Sequence, residues 1–137
     1  MDKTRVRDLI AAIQAAIPPV LAIYAYGSQV SGAVHPESDL DIAVLMPSGE
    51  SVPERVLLQL CGDLESLMGC PVDISVLDLG SSVVHCHEVV TGGERLLGAD
   101  EMAIADFEMR TLSYYARLCE DRRPVLEAYT GEHSLDE

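Results

Sequence analysis

Apolar positions along the chain switch between a helical and a strand period. Val6, Leu9, Ile10, Ile13 and Ile17 fall on one helical face and predict an amphipathic helix over about 3–17, stopped by Pro18-Pro19. Two apolar runs of strand length follow, at 21–26 and 40–46, joined by a Gly/Ser/Pro-rich connection. After the turn Pro47-Ser48-Gly49, Pro53 suits the first turn of a second helix. Val56, Leu57, Leu60, Leu64, Leu67 and Met68 form its apolar stripe, and Gly69 and Pro71 end it. A third strand is expected at 72–77 and a helix at 81–91, with Gly92-Gly93 as its stop. Residues 94–97 read as a short edge strand and 101–120 as a longer helix. Pro124 is expected to start another short piece, and the acidic end from Glu132 to fray. This order of elements predicts an α/β (α+β) fold, a small mixed sheet with flanking helices, in a single domain over 1–137.

Composition narrows the function. With 48% apolar residues the chain is expected to be globular. Its 23 acidic and 9 basic side chains give a formal charge of −14, which argues against direct binding to a nucleic-acid backbone and against a templated polymerase. Lys3, Arg5 and Arg7 precede an apolar stretch, but Asp2 and Asp8 do not suit a signal peptide, and Pro18-Pro19 does not suit a membrane helix. Cys61, Cys70, Cys86 and Cys119 make no C-x-x-C pair, so free thiols in a reducing cytoplasm are expected. His85-Cys86-His87 cannot turn three adjacent side chains onto one ion from regular structure.

The chemistry gathers around the connection between the first two strands. The first run ends in Gly27-Ser28, and the second opens on Asp39-Leu40-Asp41. Side chains two apart on a strand leave the same face, so Asp39 and Asp41 point together. Two close carboxylates raise each other's pKa unless a cation lies between them, and Mg2+ takes oxygen ligands of this kind beside substrate phosphates. Glycine permits close backbone approach, and the Ser28 hydroxyl can donate to a phosphate oxygen. Asp73 lies inside the apolar run Val72-Asp73-Ile74-Ser75-Val76-Leu77, where a buried carboxylate would need a partner or a metal.

Gly27-Ser28, ten intervening residues and Asp39-Leu40-Asp41, with Asp73 on a later strand, resemble the signature of the DNA polymerase beta-like nucleotidyltransferase superfamily. The resemblance covers roughly residues 20–97 and implies a nucleotidyltransferase fold. The small size and the tail segment Asp106-Phe107-Glu108-Met109-Arg110, with Tyr114-Tyr115 beyond it, look most like the MntA-type antitoxins paired with HEPN toxins. By that resemblance Asp39 and Asp41 would hold two Mg2+ ions, and Asp73 the ion beside the acceptor, with Asp73 also able to take the acceptor's proton. Gly27 and Ser28 would hold the ATP triphosphate at the start of a short helix.

The resemblance implies AMP transfer from ATP to a protein hydroxyl, a tyrosine of a HEPN-type ribonuclease toxin, and hence an antitoxin. The alternatives are transfer to a small molecule and a non-catalytic module that blocks its partner. Only residues 98–137 remain after the edge strand, little material for a private small-molecule pocket, which favours a protein acceptor. The chain departs from many relatives near Ser31, where they carry a basic residue. Here the 29–38 loop offers only His35, leaving Arg55, Arg95 and Arg110 as candidate substitutes.

Overall fold

The computed structural model describes residues 3–27 and 39–134, with side chains as far as residue 121. The elements run α1 (Lys3–Ala16), β1 (Ala22–Tyr26), β2 (Leu40–Leu45), α2 (Glu54–Met68), β3 (Val72–Val76), α3 (Val83–Gly92), β4 (Glu94–Gly98) and α4 (Glu101–Ser134). The strands form one mixed sheet in the order β3-β2-β1-β4. β1 is antiparallel to both β2 and β4, whereas β2 and β3 are parallel. A parallel pair needs a crossover, and α2 supplies it.

Strand parity divides the core in two. Ile23, Ala25, Leu40, Ile42, Val44, Val72 and Ile74 face α1 and α2, where they meet Leu9, Ile13, Leu60, Leu64 and Met68. Ala22, Tyr24, Ala43, Leu45 and Leu77 face the other way, against Cys86 and Val89 of α3 and Ile104 of α4. Burial of large aliphatic side chains contributes about 1.5–3 kcal/mol each, so the first face is the main source of stability.

Local signals set the helix ends. Gly69 adopts a left-handed conformation (φ 73°) and its N–H bonds to the Glu65 carbonyl at 2.9 Å, closing α2. Arg5 of α1 donates to the Met68 carbonyl at 3.2 Å, tying the two helices together at that end. Ser82 caps α3 by accepting from the His85 N–H at 3.1 Å.

Four sequence expectations need correction. Pro53 is the N-cap of α2, with extended ψ, and precedes its first turn instead of lying within it. Leu67 is 40% exposed and leaves the apolar stripe of α2. α4 runs through Pro124 as one 34-residue helix. Proline removes a single backbone donor there, and strong helix formers on both sides (Leu118, Glu120, Leu126, Glu127, Ala128) carry the helix on. Finally, Asp73 is exposed although Val72 and Ile74 beside it are buried. Alternation turns Asp73 toward the open part of the second face, so burial cost is not what demands a partner for it.

Candidate active site

The second face of the sheet is apolar at one end and acidic at the other. Asp41 on β2 pairs in register with Asp73 on the parallel neighbour β3 and with Tyr26 on the antiparallel neighbour β1. Register partners share a face and lie about 4.8 Å apart in backbone, so these three side chains leave the sheet side by side. Asp39, two residues before Asp41, continues the row and is exposed.

Gly27 follows directly. Its φ of 89° is a conformation L-residues rarely adopt, and a Cβ added there would run into the Asp41 carboxylate oxygen Oδ2. The turn thus packs against the Asp41 carboxylate at a place where a side chain would be strained and would displace it. Ser28 and the 29–38 loop, including Ser31 and His35, lie outside the described residues.

Negative charge crowds on Asp41. Partial burial pushes the Asp41 carboxyl above its usual range, and the charges of Asp73 and Asp39 push it further, while His85 draws it down. Burial also raises the Tyr26 phenol; its hydrogen bond with Ser75 opposes the rise, and the negative charges of Asp41 and Asp73 add to it. Among the described residues no three acid, imidazole or thiol groups converge closely enough to enclose an ion by themselves. Mg2+ is usually held by one or two carboxylates with waters and substrate phosphates completing the shell. A row of three carboxylates, with Asp39 and Asp73 exposed and Asp41 partly buried between them, fits that mode of binding.

Sequence reading missed the polar chain beside the acids. The Ser75 hydroxyl lies 3.0 Å from His85 Nε2 and 3.4 Å from the Tyr26 hydroxyl. The Tyr26 and His85 rings meet edge to face at 5.5 Å. Ser75 is two residues beyond Asp73 and Tyr26 directly precedes Gly27, so parity and adjacency were available signals. Nothing local marked His85, which α3 delivers from another layer. The three residues of His85-Cys86-His87 do diverge: Cys86 is buried in the core, and His87 stacks on Tyr115 of α4 at 3.6 Å.

Two of the three candidate arginines are engaged elsewhere. Arg95 pairs with Glu101 and Arg110 with Asp106, each at 3.0 Å. Arg55 stands exposed in the first turn of α2, which follows the end of β2 remote from Asp41. At that remote end a cleft of about 810 Å3 opens between the 46–52 loop, the 77–81 turn and α4. Two of its acids are already engaged: Asp78 accepts from the Gly80 N–H and the Ser81 hydroxyl, both at 2.9 Å, and Asp106 holds Arg110. The carboxylate end, whose acids are not engaged in this way, is therefore the candidate site.

A glycine turn against the Asp41 carboxylate, with Asp73 on the parallel neighbour, makes this a candidate nucleotidyltransferase site. Residues 8–102 match the polymerase beta nucleotidyltransferase family, and the chain belongs to that family. It is 31% identical over 130 residues to the protein adenylyltransferase MntA of Shewanella oneidensis, covering 93% of this chain and 88% of MntA. In structure it is similar to a chain of a toxin–antitoxin crystal structure with AMP-PNP, at a TM-score of 0.78 and 30% identity, covering 90% of this chain and 97% of that one. It is also similar to a chain of the complex of tri-AMPylated S. oneidensis HEPN toxin with MNT antitoxin, at a TM-score of 0.76 and 27% identity, covering 94% and 98% of the two chains.

Proposed function

We propose that this chain is a protein adenylyltransferase that transfers AMP from ATP to a hydroxyl of a HEPN-type toxin, most simply a tyrosine, and so acts as its antitoxin. The observation that carries the reading is the pairing of Asp41 with Asp73 across parallel strands, with Gly27 held against the Asp41 carboxylate. The similarity to MntA over nearly the whole chain supports the protein acceptor and the toxin partner. The cell's cytoplasm is the matching setting: all four thiols are free, and among the described residues no helix is long and apolar enough to cross a membrane.

In the reaction the acceptor oxygen attacks the α-phosphorus of ATP, the bond to the β-phosphate oxygen breaks, and pyrophosphate leaves. Asp39, Asp41 and Asp73 are the residues to hold magnesium, which when bound neutralises phosphate charge and lowers the acceptor's pKa. Asp41, in the middle of the row, orients the phosphates relative to both neighbours. Asp73 lies on the open side and takes the acceptor's proton. Gly27 brings its backbone close to the phosphates, where a side chain would displace both them and Asp41.

The deciding experiment incubates the chain with labelled ATP, magnesium and a HEPN-type toxin protein. Label on the partner is expected, and Asp73→Asn should stop transfer while sparing much of the ATP–magnesium binding seen by calorimetry. A folded Asp73→Asn chain that still transfers label rejects the catalytic role of Asp73. Binding to the partner without label, by the unaltered chain, would favour the purely steric reading.

A further inference from the structure

The side chain of Tyr26 crosses the sheet. Tyr26 ends β1 and pairs with Asp41 on β2, while Ser75 on β3 pairs with Ala43. β1 and β3 are not neighbours, because β2 separates them. Yet the Tyr26 hydroxyl lies 3.4 Å from the Ser75 hydroxyl. The ring therefore passes over β2, between Asp41 and Ala43. Adjacent strands lie about 4.8 Å apart, so the span covers two strand spacings, which a tyrosine and a serine bridge and shorter side chains do not. Under the crossing is Ala43, fully buried and too short to obstruct it.

The helix layer above holds this side chain in place. His85 of α3 meets the ring edge to face at 5.5 Å, and its Nε2 lies 3.0 Å from the same Ser75 hydroxyl. Edge to face is a favoured geometry for aromatic rings. The end of α3 comes down beside Tyr26 at Gly93. A Cβ added to Gly93 would lie 3.4 Å from the Tyr26 Cβ and 3.1 Å from the Ala25 carbonyl oxygen, so the missing side chain is what permits the approach. Tyr26 is thus fixed at its hydroxyl, its ring and its Cβ, although it is only half-buried.

Both ends of this crossing lie at the site. Gly27, against the Asp41 carboxylate, follows Tyr26 directly. Ser75 stands two residues beyond Asp73, on the same face of β3. We infer that Tyr26 is a positioning residue of the transfer reaction: its side chain is a strap over Ala43 that sets the nucleotide end, Gly27 and Asp41, against the acceptor end, Asp73. The inference rests on the adenylyltransferase reading given above and adds a residue that acts through the others. The ring carries the strap, since a hydrogen bond of 3.4 Å is long and weak. Transfer needs both ends aligned, and a misplacement of about 1 Å can cost about a hundredfold in rate. Binding of ATP at one end does not need that alignment.

The test compares the unaltered chain with Tyr26→Leu, Tyr26→Phe and His85→Ala. Turnover is measured as label transferred to a HEPN-type toxin protein at saturating ATP–magnesium and toxin, with ATP–magnesium affinity by calorimetry and melting temperature beside it. Tyr26→Leu, too short to reach Ser75, is expected to lower turnover at least about tenfold while ATP affinity stays within about threefold. Tyr26→Phe keeps the ring and should stay within about threefold in both. His85→Ala withdraws the wall behind the ring and should fall between the two; its turnover decides should Tyr26→Leu not fold. In the metal-free chain the nuclear magnetic resonance signals of the Gly27 and Asp73 amides should both move in Tyr26→Leu and hold in Tyr26→Phe. Near-normal turnover in folded Tyr26→Leu, or amide signals that stay in place there, overturns the strap. So does a loss confined to ATP affinity, because the strap aligns and does not bind. A Tyr26→Phe chain as impaired as Tyr26→Leu also overturns it, and puts the hydroxyl in the reaction itself. An unaltered chain that transfers no label overturns the adenylyltransferase reading and the positioning role together, whereas transfer undiminished in Tyr26→Leu overturns the positioning role alone.

Discussion

The two faces of the sheet are built from the same strands and do opposite work. On β2, Leu40, Ile42 and Val44 point into the α1–α2 core, and Asp41, Ala43 and Leu45 point the other way. Every second residue packs against α1 and α2, and the residue between faces the smaller core or the acidic row. The first face is covered by α1 and α2 along most of its length, with Val76 and Leu97 at its margins only partly buried. The second is sealed only at the Ala22–Leu45 end, where Ile104 and Val89 cover it, and turns acidic toward Gly27. Stability and function are thus nearly orthogonal in sequence while adjacent in space.

Substitutions on each face break or sharpen that contrast. The largest effect on folding is expected on the covered face: Leu64→Ala should cost about 2–5 kcal/mol in urea unfolding, while the folded fraction keeps its specific activity. A loss of specific activity as large as the loss of stability would show the faces to be coupled. On the acidic face Asp41→Asn should lower transfer at least about a hundredfold, equivalent to about 2.7 kcal/mol on the barrier. Its effect on stability should have the opposite sign. Burial and the neighbouring Asp73 and Asp39 raise the Asp41 carboxyl, so the folded chain binds that proton more tightly than the unfolded chain. The associated stabilisation is present at low pH and is lost as pH rises through the raised value. Without metal, Asp41→Asn should therefore melt higher than the unaltered chain at neutral pH, with the advantage vanishing below the usual carboxylate range. A lower melting temperature at pH 7 would contradict the repulsion.

Gly27→Ala lies where the two properties meet. The left-handed backbone costs an L-residue roughly 1–2 kcal/mol, and the new Cβ displaces the Asp41 carboxylate, so both melting temperature and ATP–magnesium affinity should fall. Intact affinity in that variant would show that Asp41 need not stand where it does. The smallest change is expected from Ser75→Ala, about 1 kcal/mol or less in stability from the lost hydrogen bonds. A fall in transfer beyond about tenfold, more than such a loss accounts for, would move the Tyr26–Ser75–His85 chain from support into the reaction itself.

Much of this was legible because local rules carried it. Period-2 alternation put Asp39 and Asp41 on one face, and the helical stripe found Leu60, Leu64 and Met68. The third acid was found for a partly mistaken reason. An aspartate between valine and isoleucine reads as buried, yet on a strand with one open face it is the outward residue. The Asp41–Asp73 register depends on β2 and β3 being parallel, a long-range fact no window of sequence holds. His85 was invisible as a partner of Ser75 for the same reason, because α3 approaches from another layer. At Pro124 a strong local rule lost to the helix formers on either side.

The central place of β1 has a consequence for synthesis. One of its neighbours, β4, is the last strand to leave the ribosome, and Ile104, which closes the second core cluster, comes later still. Until residues 94–98 emerge, the uncharged run Ala-Ile-Tyr-Ala-Tyr of β1 presents an open edge of the kind that pairs with other chains. The nascent chain cannot mature piece by piece. A chain cut before residue 94 would leave that edge open and lack Ile104, so it is expected to aggregate and not to fold as a smaller version of the domain.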